Sequence, residues 1–176
     1  MPSRRMFVAG AVSVSLAALT GCGWTPLYAD RAAGPADAEL AAIKVAPIPE
    51  RIGQILALRL RQWLNPAGEP PASRYLLRTL LQTTRLDIGI LPLGLGTRAR
   101  FDVTASFTLV DIATGATLFT TSSHAAESFD IVANYYANVV AEENARERAI
   151  EEIRRDIVTQ LTVFLQRRAA QAAPLP

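Results

Sequence analysis

The 176-residue sequence has one cysteine (Cys22), one histidine (His124) and one lysine (Lys44). A lone cysteine forms no intrachain disulfide, and one His with one Cys leaves no His/Cys zinc set and no material for most hydrolytic triads. Long apolar runs are also lacking, which excludes a protein that spans the membrane repeatedly. Only 19% of the residues are charged and the mean hydropathy is +0.19, which excludes a wholly disordered chain. The length suits one ordinary domain. Of the 18 basic residues, Arg4 and Arg5 fall in a segment read below as removed, leaving 18 − 2 = 16 against 16 acidic residues. A neutral mature domain gives no case for a nucleic-acid partner.

What is present begins with an address. Arg4 and Arg5 precede an apolar stretch at 6–19, which at 14 residues has the length of a signal h-region and falls short of the roughly 20 a spanning helix needs. Leu19-Thr20-Gly21-Cys22 is similar to the lipobox of bacterial lipoproteins, whose Cys is diacylated on sulfur, exposed by cleavage and acylated on its new amine. The alternative, a buried thiol after an ordinary signal, leaves that spacing unexplained. Two or three acyl chains anchor a protein stably where one binds marginally, so Cys22 is predicted to tether the domain to a membrane surface without spanning it. In enteric-type sorting an Asp after the Cys retains a lipoprotein in the inner membrane, so Gly23 is compatible with the outer one. Ser3-Arg4-Arg5-Met6-Phe7 resembles a twin-arginine signal, which leaves the export route open.

The expected organisation is a signal at 1–21, the lipidated Cys and a tether at 22–38, one domain at 39–168 and a disordered tail at 169–176. Ile43, Val45 and Ile48 with Pro47 read as a short strand. Ile52, Ile55, Leu56, Leu60, Trp63 and Leu64 fall at helical steps up to Asn65, before Pro66. Residues 75–90, rich in Leu and Thr, suit a strand better than a helix. Phe101, Val103, Ala105, Phe107 and Leu109 alternate with polar residues as a half-buried antiparallel strand. Turn chemistry at 111–115 should return residues 116–123 as its hairpin partner, extending to about Phe129. The last element is a helix from about Asn138 to Arg168, with Ile150, Ile153, Ile157, Leu161, Phe164 and Leu165 as its apolar stripe. Glu142 and Glu143 lie near its positive end, Arg167 and Arg168 near its negative end, and Glu151 with Arg155 forms an i,i+4 pair. The order β-α-β-β-β-α predicts an α+β two-layer sandwich: a small mixed sheet of about four strands with two helices packed on one face.

Cys22-Gly23-Trp24-Thr25-Pro26-Leu27-Tyr28 resembles the mature start of the LptE family of lipopolysaccharide-assembly lipoproteins, where an aromatic residue and Pro-Leu-Tyr follow the acylated Cys. The resemblance extends to the family's first strand and helix (43–64), its central hairpin closing on Asp-x-x-Thr-Gly (98–118, with Asp111, Thr114 and Gly115) and its Tyr-Ala entry into a closing helix (135–164). It implies an outer-membrane lipoprotein that plugs the lumen of the LptD-type β-barrel, assists that barrel's assembly and binds lipopolysaccharide, with no enzymatic activity and no cofactor. On that implication the polar face at Thr104, Ser106 and Thr108 and the turn at Thr114 are the candidate barrel contacts.

Other chemistry finds little support. His124 lies beside Ser122 and Ser123, but neighbours on a strand face opposite ways and no nucleophile elbow surrounds them, so a surface histidine is expected. The acidic residues Glu142, Glu143, Glu147, Glu151, Glu152 and Asp156 interleave with Arg146, Arg148, Arg154 and Arg155, which reads as a self-neutralising helix face and not as a metal site. Gly94-Leu95-Gly96 lacks the Lys and following helix of a phosphate loop. Arg85, Arg98 and Arg100 bracket one loop and have the geometry for lipid A or core-sugar phosphates; solvated strand-end arginines remain the alternative. Trp24, Tyr28, Tyr135 and Tyr136 fit a membrane or partner surface or the core equally. The competing functional class is an accessory lipoprotein of an ABC-type lipid-transport system, with a hydrolase a distant third.

Overall fold

The computed structural model describes residues 35–66, 68–90 and 96–172. The signal, Cys22, Trp24 and Tyr28 lie outside the described residues, as do most of the tether and the loop at 91–95. Seven elements follow in order: α1 (Pro35–Ala41), β1 (Ile43–Val45), α2 (Arg51–Leu64), β2 (Tyr75–Ile90), β3 (Gly96–Asp111), β4 (Thr117–Asp130) and α3 (Tyr135–Ala172). The strands form one mixed sheet in the order β1-β2-β3-β4. β1 runs parallel to β2, and the other two pairings are antiparallel. This is the expected α+β sandwich, with a third, short helix added.

The two faces of the sheet follow from strict alternation. Phe101, Val103, Ala105, Phe107 and Leu109 are buried on one face of β3, joined there by Tyr75 and Leu77 of β2 and Ala125 of β4. Helices α2 and α3 cover that face with Leu56, Leu60 and Leu64 and with Ile150, Ile153, Ile157, Leu161 and Leu165. Burying each such side chain is worth about 1.5–3 kcal/mol, so this layer carries the fold. A smaller cluster of Ala99, Phe129 and Ala145, flanked by Ile131 and Ala141, lies apart from it at the β2–β3 loop end. α2 is close-fitting at its start: a Cβ on Gly53 would lie 2.6 Å from Ile48 Cγ2, so only glycine lets the helix approach the chain leaving β1.

Three readings need correction. The end of the stretch taken as tether, 35–38, belongs to α1, which runs on into the domain to Ala41, because Ala-rich residues with Asp37 in the first turn favour a helix and Leu40 gains burial. α3 begins at Tyr135 and reaches Ala172, where 138 to 168 was expected; the Asn134 side chain accepts from the Ala137 N–H at 3.2 Å and so caps the start. Its first turn therefore holds no acidic residue and its last no basic one, so Glu142, Glu143, Arg167 and Arg168 sit too far in to act on the helix dipole. The expected i,i+4 pair of Glu151 with Arg155 is present at 4.0 Å, and Glu151 bonds more closely to Arg154, at 2.5 Å. Guanidinium donation from Arg154, against a smaller opposing effect of burial, holds the Glu151 carboxyl below its ordinary value.

Candidate functional site

Arg85, Arg98 and Arg100 all lie at the end of the sheet where β2 meets β3, but not on one face. Arg85 pairs in register with Phe101 and so stands on the helix side, where it meets Asp87 at 3.1 Å and Glu142 of α3 at 3.6 Å, with its guanidinium 5.9 Å from the Phe129 ring centre. Arg98 and Arg100 stand on the opposite face, which none of the described helices covers. Arg98 is 3.7 Å from Asp130, and Arg100 donates to Asp102 at 2.8 Å. Each arginine thus has a carboxylate beside it in a solvent-exposed setting, where such pairs are worth about 0–1 kcal/mol and exchange readily for a stronger anion. The hairpin reaches this end through a register shift at Gly89, whose added Cβ would fall 2.5 Å from Thr97 Oγ1.

Exposed apolar side chains gather at the same end, which sequence reading missed. Leu86 and Ile88 on β2, Val132 after β4, and Tyr135, Tyr136, Val139 and Val140 on the first turns of α3 are all exposed, Tyr135 by 82% and Tyr136 by 76%. Core packing is thereby excluded for these two tyrosines. The signal was available in part: towards the start of α3 the apolar stripe of Ala145 and Ala149 is continued only by the small Ala141, and the larger Tyr135, Tyr136, Val139 and Val140 lie off it.

Thr104, Ser106 and Thr108 share the uncovered face with Gln82 and Leu80 of β2 and with Thr120, Ser122 and His124 of β4. None of these side chains is buried, and the Thr120 and Thr108 hydroxyls lie 3.5 Å apart. His124 is exposed, with Nε2 3.4 Å from Asp102. Thr114 belongs to the turn at the far end of the sheet. Its N–H and that of Ala113 donate to Asp111 Oδ1 at 3.1 and 3.0 Å, holding the Asp111 carboxyl below its ordinary value, and Gly115 supplies the positive φ of 70°. The candidate barrel contacts therefore run from the middle of β3 to its closing turn, over about 25 Å, and do not converge on one point.

A cavity of about 320 Å³ opens between α2, α3 and the sheet, floored by Ile52, Ile55, Phe101 and Ile150 and rimmed by Arg51, Glu143, Arg146 and Glu147. On its rim Arg146 pairs with Glu143, and also with Glu142 beside it. Among the described residues no three His, Cys, Asp or Glu side chains converge to hold a metal ion, and no helix is long and apolar enough to cross a membrane.

Comparison with known proteins gives a family match and a set of similar folds. The family model described as "LptE: Lipopolysaccharide-assembly" matches residues 40–163. A protein of Caulobacter crescentus CB15 named as a lipoprotein is similar in structure at 22% identity and a TM-score of 0.62, over 78% of this chain and 98% of that one. A minor lipoprotein of Acinetobacter baumannii is similar at 19% identity and a TM-score of 0.55, over 70% of this chain and 92% of that one. No curated protein sequence matches the chain.

Proposed function

The chain belongs to the LptE lipopolysaccharide-assembly family, and from that premise we propose that it is an outer-membrane lipoprotein, held by an acylated Cys22, that plugs and helps assemble an LptD-type β-barrel and binds lipopolysaccharide on its way to the cell surface. The signal occupies 1–21, and the tether ends where α1 begins. The protein works through surfaces and not through catalysis.

The observation that carries the reading is the uncovered face of the sheet. A sheet of long strands normally covers any face that packs, yet here Thr104, Ser106, Thr108, Thr120 and Ser122 present hydroxyls on a broad open surface. Barrel lumens are polar, so such a face suits a lumen wall better than it suits lipid. At the β2–β3 end, Arg98 and Arg100 beside exposed Leu86 and Ile88 combine donors for phosphate with apolar surface for acyl chains, the two chemistries of a lipopolysaccharide.

The test is photo-crosslinking in intact cells from Thr104, Ser106, Thr108 and Thr114, one position at a time. Adducts with an outer-membrane barrel of the LptD type are expected. Adducts only with an inner-membrane transporter, or none with any barrel, would sink the plug in favour of the transporter-accessory class.

A further inference from the structure

On the helix side of the sheet the covering layer stops short near the start of α2. Thr83 and Arg85 of β2 share that side with the buried Tyr75 and Leu77, yet both are exposed. The cavity of about 320 Å³ opens at this gap, with Ile52, Ile55, Phe101 and Ile150 as its floor and Thr83 beside them. Phe101 and Ile150 are buried and Ile52 and Ile55 half-buried, so the floor is an apolar trough. Its size sits at the low end for ligand pockets, which run from about 300 to 1,000 Å³. At about 30 Å³ for a water-sized group, the space holds on the order of ten methylenes. That is one acyl chain, and not the several chains of a lipopolysaccharide.

The charges around the mouth divide into two kinds. Arg146 is taken up by Glu142 and Glu143 and lies 5.4 Å from the centre of the Phe101 ring, and Glu147 meets Arg59 at 4.0 Å. Glu50 and Arg51 also line the cavity, but both are exposed and form no ion pair among the described residues. One carboxylate and one guanidinium, adjacent in the chain, thus stand uncommitted beside an apolar trough. Glu50 has a φ of 64°, a conformation that L residues seldom adopt and that gathers at ligand-holding positions. We propose that the cavity binds one acyl chain of a phospholipid whose headgroup carries both a phosphate and an ammonium, with Arg51 on the phosphate and Glu50 on the ammonium. A guanidinium meets phosphate through paired donors, and a carboxylate accepts from an ammonium, both as charge-assisted bonds. A headgroup with phosphate alone would set like charge against Glu50, and a neutral one would use neither group. The cavity lies on the helix side, away from Thr104, Ser106 and Thr108 and from Arg98 and Arg100, so the proposal stands or falls separately from the proposed function.

The test places the full-length protein in vesicles of phosphatidylglycerol that carry a trace of phosphatidylethanolamine with a photoreactive group near the end of one acyl chain. After illumination, adducts mapped by digestion and mass spectrometry are expected on Ile52, Ile55, Phe101 or Ile150. A phosphatidylglycerol probe with the same chain, which keeps the phosphate and lacks the amine, should label these residues about tenfold less, as suits the loss of one charge-assisted bond. Glu50→Gln should bring the phosphatidylethanolamine probe down to that level, and Arg51→Gln should weaken both probes. Neither substitution should move the melting temperature, since both side chains are exposed. Excess lipopolysaccharide should leave the adducts in place. Floor adducts that are absent, equal for the two probes, unchanged by either substitution, or displaced by lipopolysaccharide, which would give the cavity to that ligand, overturn the proposal.

Discussion

The division of the three arginines between two faces makes a sharp prediction about lipopolysaccharide binding. Arg98→Ala with Arg100→Ala removes both guanidinium groups from the open face, where their present partners Asp130 and Asp102 are exposed neighbours. A charge-assisted hydrogen bond to phosphate is worth about 1.5–3 kcal/mol, and giving up an exposed ion pair costs about 0–1 kcal/mol. The double substitution should therefore lose about 3 kcal/mol of binding, about a hundredfold in affinity at 1.4 kcal/mol per decade. Its melting temperature should hardly move. Arg85→Ala should behave in the opposite way. It removes contacts to Glu142 of α3 and to the Phe129 ring of β4, lowering stability by about 1 kcal/mol while leaving affinity within about threefold. Fluorescence titration of labelled lipopolysaccharide against the full-length protein in detergent, with thermal melts beside it, separates the two effects. Equal losses of affinity from Arg85→Ala alone and from the pair, or no loss from the pair, would refute the assignment of phosphate contact to the open face.

Cys22→Ser should abolish acylation, since the sequence has no other cysteine; metabolic labelling with a fatty acid reads this, and label on the Ser variant would defeat the lipobox reading. Leu161→Ala, at a position with no exposure, should cost about 2–5 kcal/mol in chemical denaturation, while Leu58→Ala, 54% exposed on α2, should cost little. Gly53→Ala should destabilise by about 1–3 kcal/mol, because Ile48 must move to admit the methyl. Asp111 and Glu151 both have carboxyls held below their ordinary values of 3.8 and 4.5. Their contribution to stability is present above those values and lost as pH falls through the lower folded ones. Asp111→Asn with Glu151→Gln should lower stability at neutral pH and flatten its decline on the acid side, as read from melts between pH 7 and 2.

How far the sequence could be read depended on whether a residue's role was local. β2 at residues 75–90 and the alternation from Phe101 to Leu109 needed only period and composition, because one buried face writes itself into every second residue. The long α3 was placed by its apolar stripe, but its start was missed by three residues, since Asn134 acts as a cap through geometry that the stripe does not encode. α1 was missed because seven residues rich in Ala have no visible period and become a helix through the burial of Leu40 in the core. The candidate site was legible as a set of residues at one end of a hairpin, not as a geometry. Proximity in sequence to one loop suggested that Arg85, Arg98 and Arg100 act together, while the register with Phe101 puts Arg85 on the helix side. The apolar side chains around them were invisible for a further reason: Leu86, Ile88, Val139 and Val140 are residue types expected inside, and only the shape of the fold leaves them out.

The two ends of the sheet differ in a way that bears on direction. α1 joins the domain where β2 begins and β3 ends: the Ala42 carbonyl accepts from Arg74, whose own carbonyl accepts from Ile112, and Glu39 bonds both Arg74 and the Tyr75 hydroxyl. The Tyr75 ring is wholly buried there, and burial together with the Glu39 carboxylate raises its hydroxyl above the ordinary value, so the junction is a packed one and not a loose entry. The exposed tyrosines, valines and open-face arginines all lie at the other end, about 50 Å along the strands. Among the described residues, the junction with α1 thus lies at the opposite end of the sheet from the exposed apolar and basic side chains. Exposed apolar surface beside guanidinium groups is found at that end and not at the packed one, which is the reason the binding experiments above are directed there.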